Sequence, residues 1–393
     1  MKIRTSIISI LFLISVFFPQ MLQAQIFVGG LADFEIRQGQ YDSAQHINQT
    51  PNNKLNIFTP NIRLFGFGAI SDSWFVEAAL QADYYEGESL SAPFFSMINL
   101  NWMPISDSGF MITGGRFITP YGTQEDRLLS SDNPFVHLPL YSAFNLGIDK
   151  VTGVFSDGID YEAEWRRGQS MVYQRGYTQG VMVSNRTENE TLSYRLAATL
   201  APASGFAEAG AHDIPSFIGR MVYNPLIWAE FGVSFSYGPY MKRDLLNEEL
   251  SNSELRSFRQ TIAGADVRFS YLYYSLGFEV HYSQWGSPDY EYEGVWFRGP
   301  EPEVWYYGTE LVTRTPFILP GSYLGIRGEL LRPEKLRQDG DYFVFGQDVD
   351  RAEFLFGYSV ARNLKAKFSY QVNSIHPDRL RADVWTLQFS AGF

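Results

Sequence analysis

The five histidines of this 393-residue chain are the first places to look for catalysis or metal binding. They are His46, His137, His212, His281 and His376. Local zinc sites need histidines a few positions apart, often with a glutamate between them, and this spacing does not occur. A serine nucleophile in a G-x-S-x-G turn is also missing, because residues 232–236 end in serine. The sequence therefore predicts no catalytic residue, no metal ligand and no cofactor.

A larger set of chemically active side chains consists of charges that alternate with apolar residues. Ten acidic members each occupy the polar positions of their own alternating segment. They are Asp33, Glu35, Glu77, Asp83, Glu230, Asp266, Glu279, Glu310, Glu329 and Glu353. Ten basic members accompany them: Arg37, Arg63, Arg116, Arg195, Arg220, Arg268, Arg327, Arg351, Lys365 and Lys367. The parity of Arg63 and Arg116 is ambiguous, because glycines and aromatics occur on both faces of their segments. Since charges in a dry interior are costly, the set indicates a water-filled interior; a lumen plugged by loops, with paired charges, is the alternative.

The longest connection between apolar segments, about residues 119–170, is the best candidate for a functional element. It contains Asp126-Arg127, Asp132-Asn133 and His137. Charges of both signs across a narrow pore produce a transverse field that orients solutes, whereas surface salt bridges and Asx turns are the alternative for the loop residues. The predicted pore-lining or constriction residues are Arg116, Asp126, Arg127, Asp132, His137, Arg195, Arg220, Arg327, Lys365 and Lys367.

Strands with a period of two must position these side chains. Sixteen are predicted, at about 26–37, 54–69, 73–85, 92–103, 109–118, 171–183, 191–200, 215–223, 229–240, 259–270, 274–285, 304–314, 322–332, 350–361, 364–374 and 383–393. The clearest have about ten residues, the length that a tilted strand needs to cross hydrocarbon. Residues 151–165 leave open a further strand pair, which would make eighteen.

Short and long connections alternate between these strands. Seven short turns interleaved with eight longer loops are typical of sixteen antiparallel strands whose two termini lie on one side. A closed barrel also leaves no strand edge unpaired in lipid. Tryptophans at both kinds of strand end indicate two aromatic girdles: Trp74, Trp102 and Trp228 beside short turns, and Trp285, Trp305 and Trp385 beside long loops. The sequence thus predicts an all-β fold, a closed antiparallel transmembrane β-barrel; a soluble β-sandwich is the alternative.

The N-terminus has the features of a secretory signal peptide. Lys2 and Arg4 precede an apolar stretch at residues 7–18, and Gln23-Ala24 end a plausible cleavage region. We therefore predict a signal peptide at residues 1–24 and a single barrel domain at residues 25–393.

Composition narrows the class of protein further. Without Lys2 and Arg4 the remaining chain has 29 basic and 43 acidic side chains, a net charge of −14, which argues against nucleic-acid binding. Aromatic residues make up 16% of the chain, an excess that favours a membrane interface. The absence of cysteine excludes disulfides and a lipid anchor on that residue.

The last predicted strand ends on Phe393, after aromatic or aliphatic residues at alternate positions from Trp385. This pattern resembles the terminal strand of bacterial outer-membrane β-barrels. The resemblance implies a location in the outer membrane of a Gram-negative cell, among lipid and lipopolysaccharide. It also implies that the barrel assembly machinery recognises Phe393, and that the short turns are periplasmic and the long loops extracellular.

A second resemblance lies at the start of the longest connection. Gly115-Arg116-Phe117, then Pro120-Tyr121-Gly122, then Asp132-Asn133-Pro134-Phe135 resemble a segment of large porins related to the phosphate-selective group. In porins a long loop of this kind folds into the lumen and narrows it. The resemblance implies passive diffusion of small hydrophilic solutes or ions, commonly through a homotrimer.

The sequence therefore favours a general or weakly selective porin, and three other functions remain open. A channel specific for sugars or anions is one, with Trp285, Trp296 and Tyr306 as candidates for an aromatic sugar slide. A surface-binding or adhesion barrel is another. The last is a barrel hydrolase using His212-Asp213, because barrel proteases keep Asp–His pairs in outer loops.

Overall fold

The computed structural model describes most of the chain between its first barrel strand and its C-terminus. The described residues are 26–39, 55–83, 92–105, 108–149, 153–154, 168–205, 214–245, 248–292, 294–338, 340–376, 380–381 and 383–393. The predicted signal peptide at residues 1–24 lies outside this set, as do His46 and the His212-Asp213 pair.

Sixteen strands of the described residues form one closed antiparallel barrel, as predicted. They are β1 (Ile26–Gly39), β2 (Leu55–Ser71), β3 (Trp74–Asp83), β4 (Phe94–Trp102), β5 (Met111–Ile118), β6 (Tyr177–Arg186), β7 (Leu192–Thr199), β8 (Ser216–Leu226), β9 (Ala229–Pro239), β10 (Arg259–Tyr271), β11 (Tyr274–Trp285), β12 (Glu303–Arg314), β13 (Ser322–Pro333), β14 (Val349–Ala361), β15 (Leu364–Ile375) and β16 (Val384–Gly392). Each strand pairs with the next one in sequence, and β16 pairs with β1 to close the barrel.

Two details differ from the sequence-based expectation. The strand expected at 171–183 is β6, which begins only at Tyr177, because the apolar residues Met171 and Val172 are buried in a core inside the barrel. The extra strand pair of the eighteen-strand alternative is not part of the described barrel. Ile148–Asp149 and Gly153–Val154 instead pair with each other in a separate hairpin.

The outer face of the barrel is apolar and the inner face polar, the reverse of a soluble protein. In β14, Phe354 and Phe356 are exposed outside, whereas Arg351 and Glu353 are buried inside. Exposed large apolar side chains recur around the outer face of the described strands. An apolar surface that surrounds the barrel would cause aggregation in water, whereas the hydrocarbon layer of a membrane would cover it. The alternation therefore fixes a membrane-spanning barrel with an inward-facing polar wall.

The C-terminus seals the barrel against its first strand. The Gly30 amide donates to the Phe393 carbonyl at 2.9 Å, and the Phe393 amide donates to the Gly30 carbonyl at 3.0 Å. The Phe393 ring covers Gly30 so closely that a Cβ there would lie 2.2 Å from a ring carbon. A side chain at position 30 would therefore displace the Phe393 ring from its place on the first strand.

The remaining regular elements are short. Helices are α1 (Gln124–Arg127), α2 (Leu140–Ala143) and α3 (Asn252–Ser257). Two-stranded hairpins in the long connections, besides that at 148–154, are Asp244–Leu245 with Glu248–Glu249, Tyr290–Tyr292 with Val295–Phe297, and Leu336–Gln338 with Asp341–Phe343, while Leu380–Arg381 pairs with β15. Within the described ranges, every helix is too short to cross a membrane.

Tryptophans mark both ends of the barrel, with one exception. Trp74 and Trp102 stack at 5.5 Å next to short turns, and Trp305 stacks on Tyr307 at 6.1 Å near the long loops. Trp285 was expected in a girdle but is fully buried inside the barrel. It shares the parity of His281 on β11, and that parity faces the lumen.

Candidate functional site

The longest connection folds into the lumen of the barrel. We call its described part, residues 119–149, 153–154 and 168–170, the lumen segment. Its Gly122 amide donates to the Ser234 hydroxyl on β9 at 2.9 Å, and its Leu140 amide donates to Glu329 on β13 at 2.9 Å. Since Ser234 and Glu329 are buried inward-facing residues, the segment crosses the interior and does not lie over the barrel mouth.

Apolar residues explain why the segment folds inward. Leu140, Tyr141, Phe144 and Leu146 are fully buried, in one core with inward-facing residues near the long-loop ends of the strands. These wall residues include Trp285, Val304, Tyr306, Leu331 and Val349. Burying a side chain of this size contributes about 1.5–3 kcal/mol relative to exposure. The upper lumen on the β11–β15 side is therefore a packed apolar core, which also reaches Ile262 on β10 and Ile218 on β8.

A cluster of four charges lies beneath this core. Arg327 and Glu329 on β13, and Arg351 and Glu353 on β14, are all buried, and we call them the clamp. Arg327 contacts Glu353 at 2.5 Å and Glu329 at 3.2 Å, and Arg351 also pairs with Glu329. The two arginines donate to the carbonyls of His137 and Leu138 at 2.8 and 2.6 Å. The clamp therefore binds the backbone of the lumen segment and is covered by it.

His137 adds a neutral contact to the clamp. Its Nδ1 lies 3.2 Å from Glu353, and its Nε2 lies 3.2 Å from the Thr386 hydroxyl on β16. Burial lowers the pKa of the His137 imidazole, an effect that the hydrogen bond to Glu353 opposes. The two contacts suit the neutral ring, with Nδ1–H donating to the carboxylate and Nε2 accepting from the hydroxyl.

Two lysines on β15 hold the preceding turn of the segment by its carbonyl groups. Lys367 donates to the Ser130 carbonyl at 2.6 Å and to the Asn133 carbonyl at 2.8 Å. Lys365 donates to the Ser131 carbonyl. The side-chain oxygen of Asn133 accepts a hydrogen bond from the Phe135 amide at 3.0 Å. This contact forms an Asx turn, which the sequence analysis gave as one alternative for the loop residues. The lysines thus fix a turn whose chain separation from them exceeds 230 residues.

Helix α1 is held by ion pairs with the opposite wall. Arg127 contacts Glu279 on β11 at 2.6 Å and Glu310 on β12 at 3.0 Å. Asp126 contacts Arg268 on β10 at 3.0 Å. Because these partners lie on three successive strands, α1 is fixed across the lower part of the lumen.

Among the described residues, two cavities lie on the other side of the lumen, and both border α1. The upper cavity, of about 220 Å³, is lined by residues of β1–β3, including Arg37 near the long-loop end of β1. The lower cavity, of about 450 Å³, is lined by residues of β5–β9, including Arg186 and Asn224 near short turns. Arg127 lines the upper cavity, whereas Glu125 and Asp126 line the lower one. Helix α1 is therefore the element between them.

The lower cavity carries charges of both signs. Arg195 on β7 pairs with Glu125 of α1, and both are about half exposed. Arg220 on β8 makes a two-pronged contact with Asp266 on β10, at 2.5 and 2.9 Å. Charges of opposite sign are therefore in direct contact along this part of the lumen.

The ten residues predicted to line or constrict the pore fall into three groups. Arg127, His137, Arg327, Lys365 and Lys367 contact the lumen segment or belong to it, and their charged or polar atoms hold it to the wall. Asp126, Arg195 and Arg220 line the lower cavity. Arg116 on β5 donates to the Phe95 carbonyl, and Asp132 is exposed and accepts from the Ser131 hydroxyl at 3.3 Å.

The aromatic residues proposed for a sugar slide do not line open space together. Trp285 and Tyr306 are buried in the apolar core, while Trp296 is exposed in a hairpin of a long connection. His281 lies in the same core, 3.0 Å from the Tyr121 hydroxyl and with its ring 4.6 Å from that of Tyr141. Within the described ranges, no group of three or more acidic or histidine side chains is placed to hold a metal ion.

Several residues that shape the site were missed by sequence reasoning. Asn61, Gln81, Arg175 and Gln388 line the upper cavity, and Tyr121 lines the lower one. Asn61, Gln81 and Gln388 face the lumen like the charged residues near them in their strands. The same alternation therefore identifies these amides as lumen-facing residues. Arg175 lies outside any strand, so alternation gave no signal for it.

Comparison with known proteins finds likeness in structure only. No family model matches the chain, and no curated protein matches it. An anion-selective porin from Comamonas acidovorans superposes with a TM-score of 0.58 at 9% identity, covering 94% of this chain and 100% of that one. The outer membrane channel DcaP of Acinetobacter baumannii gives 0.59 at 11%, covering 94% and 97%. OmpF of Salmonella typhi, solved with daunomycin, gives 0.54 at 11%, covering 94% and 97%.

These likenesses confirm the predicted porin-type fold. A sixteen-stranded barrel shared with porins and an outer membrane channel is also consistent with the predicted bacterial outer-membrane location.

Proposed function

We propose that this chain is an outer-membrane porin through which small hydrophilic solutes or ions diffuse passively. The observation that carries the proposal is the pair of polar cavities beside α1 inside a closed membrane-spanning barrel. Barrels of sixteen or more strands are wide enough for an aqueous channel. The lumen segment fills one side of this width, and the cavities lie where it leaves the wall uncovered.

The packed core favours a narrow channel with solute selectivity as the second candidate function. A dry apolar core and a buried clamp remove the β11–β15 side from any solute path. A path confined to the β1–β9 side passes both carboxylates and guanidinium groups. Such a wall suits solutes with polar groups of either sign better than it suits a single ion type.

Single-channel recording of the mature protein in a planar bilayer tests the proposal. We expect stable ohmic steps in potassium chloride, smaller than those of an unobstructed sixteen-stranded barrel because the lumen segment fills part of the lumen. A variant in which Gly-Ser repeats replace residues 123–145 is expected to raise the conductance several-fold. Correctly inserted protein that passes no current, with or without the replacement, would contradict a porin function.

The expected partners follow from the same proposal. The outer belt would face lipid and lipopolysaccharide, Phe393 would be read by the barrel assembly machinery, and three copies would associate as a homotrimer. Deleting Phe393 removes two backbone hydrogen bonds to Gly30 as well as the terminal ring, so slower assembly is expected. Cross-linking in native membranes measures the oligomeric state. A monomer would contradict the proposed trimer and leave the proposed channel function unaffected.

A further inference from the structure

We infer that the upper cavity is a binding site for small zwitterionic solutes of the α-amino acid class, held between Arg63 and Asp33. The inference rests on the proposed channel function, because the cavity is part of the proposed path. It deepens that function by naming the class of solute.

The first step concerns the charges that line the upper cavity. Most of them are already neutralised: Glu35 pairs with Arg37 at 2.5 Å, and Asp83 pairs with Arg175 at 3.0 Å. Arg127 is held by Glu279 and Glu310 on the opposite wall.

Arg63 and Asp33 are the exceptions among the described lining residues. Arg63 is 4% exposed and has no carboxylate partner in the described part of the chain, where its guanidinium lies 5.7 Å above the Tyr177 ring. Asp33 accepts hydrogen bonds from neutral donors, Ser130 at 2.5 Å and Asn61 at 3.3 Å. Lys367 on β15 also lies close enough to interact with the charge of Asp33, but neither Arg63 nor Asp33 makes a direct ion pair among the described residues.

The second step concerns hydrogen-bonding atoms that are buried without a partner. They are Nε of Arg63, Oδ1 of Asn61 and Oε1 of Gln81, and all three residues line the cavity. Arg63 and Gln81 are directly paired across β2 and β3. A buried polar atom without a partner costs about 1–3 kcal/mol, so one donor and two acceptors favour a solute that complements them.

The third step is the placement of the two residues on the wall. Asp33 is paired with Asn61 across β1 and β2, and Arg63 lies two residues further along β2. The backbones of such diagonal neighbours are roughly 7–8 Å apart, so the two side chains start from adjacent positions on the wall. A compact solute with adjacent carboxylate and ammonium groups suits this arrangement, with its carboxylate on Arg63 and its ammonium toward Asp33.

The two charges without a direct ion pair also disfavour simpler solutes. A plain anion bound by Arg63 would lie near the carboxylate of Asp33, whereas a plain cation bound by Asp33 would lie near the guanidinium of Arg63. A volume of about 220 Å³ admits a small amino acid, since a water molecule takes about 30 Å³. A zwitterion is therefore favoured over either of its single-charge analogues.

Equilibrium binding to the detergent-solubilised full barrel tests this, using L-alanine, propionate and ethylamine as probes in saturation-transfer NMR. We expect L-alanine to bind at least tenfold more tightly than propionate or ethylamine. Arg63→Gln should weaken the binding of L-alanine about tenfold, so that the variant prefers ethylamine. Asp33→Asn should also weaken the binding of L-alanine about tenfold, so that the variant prefers propionate. Arg314→Gln, an exposed arginine at a short turn, is the matched control and should change nothing.

Propionate binding as tight as that of L-alanine, or no saturable binding of any probe, would overturn the inference. The wild-type probe series decides this even if one variant fails to fold. Conductance in potassium chloride is measured on the same preparation. Normal conductance without L-alanine binding removes the inference and leaves the channel, whereas L-alanine binding without conductance keeps the site and removes the channel.

Discussion

The two sides of the lumen contain the same kinds of charged residue in opposite environments. On the β13–β14 wall, Arg327 and Glu353 are buried beneath the lumen segment and hold its backbone. On the β7 wall, Arg195 pairs with Glu125 of α1 beside the lower cavity, and both are about half exposed. An inward-facing charge therefore does not by itself indicate a water-filled lumen beside it. Whether the lumen segment covers the charge decides whether it acts as an anchor or as part of the channel wall.

The largest expected effect comes from breaking the anchor side with Glu353→Gln. Glu353 accepts from Arg327, His137 and Ser369, so the change leaves the Arg327 guanidinium buried with one counter-ion fewer. Loss of one partner of a buried pair costs about 3–5 kcal/mol. We expect the lumen segment to detach while the barrel persists, which raises conductance several-fold and opens the bond after Arg127 to trypsin.

The matched control for Glu353→Gln is Glu190→Gln. Glu190 pairs with Arg186 at 2.9 Å on an exposed turn, where ion pairs contribute little. Its conductance and trypsin resistance should equal those of the wild type. Equal behaviour of the Glu353 variant would show that the clamp does not hold the segment.

A smaller loss is expected from Leu140→Ala, which weakens the apolar part of the same anchor. Leu140 is fully buried in the core inside the barrel, and truncation of such a leucine costs about 2–5 kcal/mol. Hydrogen exchange of the segment amides should accelerate without a change in barrel melting. Leu324→Ala on the exposed outer face is the control, and equal exchange in both variants would contradict the packed core.

The sequence was sufficient for the barrel but not for the anchoring. Alternation in β14 and β16 identifies strands and their inner face, because each strand repeats the same period. It does not show what covers that face. Lys367 and the Ser130 carbonyl are 237 positions apart, and only the fold brings them together.

The candidate site was predictable in outline and not in detail. Residues 119–170 were expected to be functional or to fold against something, because a long connection rich in apolar residues must pack, and the described ones do pack inside the barrel. The parity of Arg63 was ambiguous because glycines and aromatics occur on both faces of β2, and the structure buries its side chain inside. Arg63 has no carboxylate partner among the described residues because of how β1, β2 and β3 place their side chains. The sequence around Arg63 does not show that placement.

An intermediate effect is expected from pH, acting through His137. Because burial lowers the pKa of this imidazole, the docked segment favours the neutral ring, while the undocked ring gains a proton below about pH 6.5. Docking is therefore strongest above that pH and weakens as the pH falls below it. Trypsin cleavage after Arg127 should increase between pH 7.5 and pH 5.5, and His137→Gln should flatten the increase; an equal slope in both proteins would exclude His137 as its source.

Arg195→Gln, on the exposed side of the lumen, should have the weakest effect of these substitutions. The Arg195–Glu125 pair is half exposed, so its loss should cost at most about 1 kcal/mol and leave the segment docked. It removes one positive charge from the lower cavity and leaves Glu125 without its basic partner, so the reversal potential in a salt gradient should shift toward cations. Glu125→Gln should shift it the opposite way, and both shifts should shrink at about 1 M salt, where the Debye length is about 3 Å. Unchanged reversal potentials in both variants would mean that ions do not pass the lower cavity.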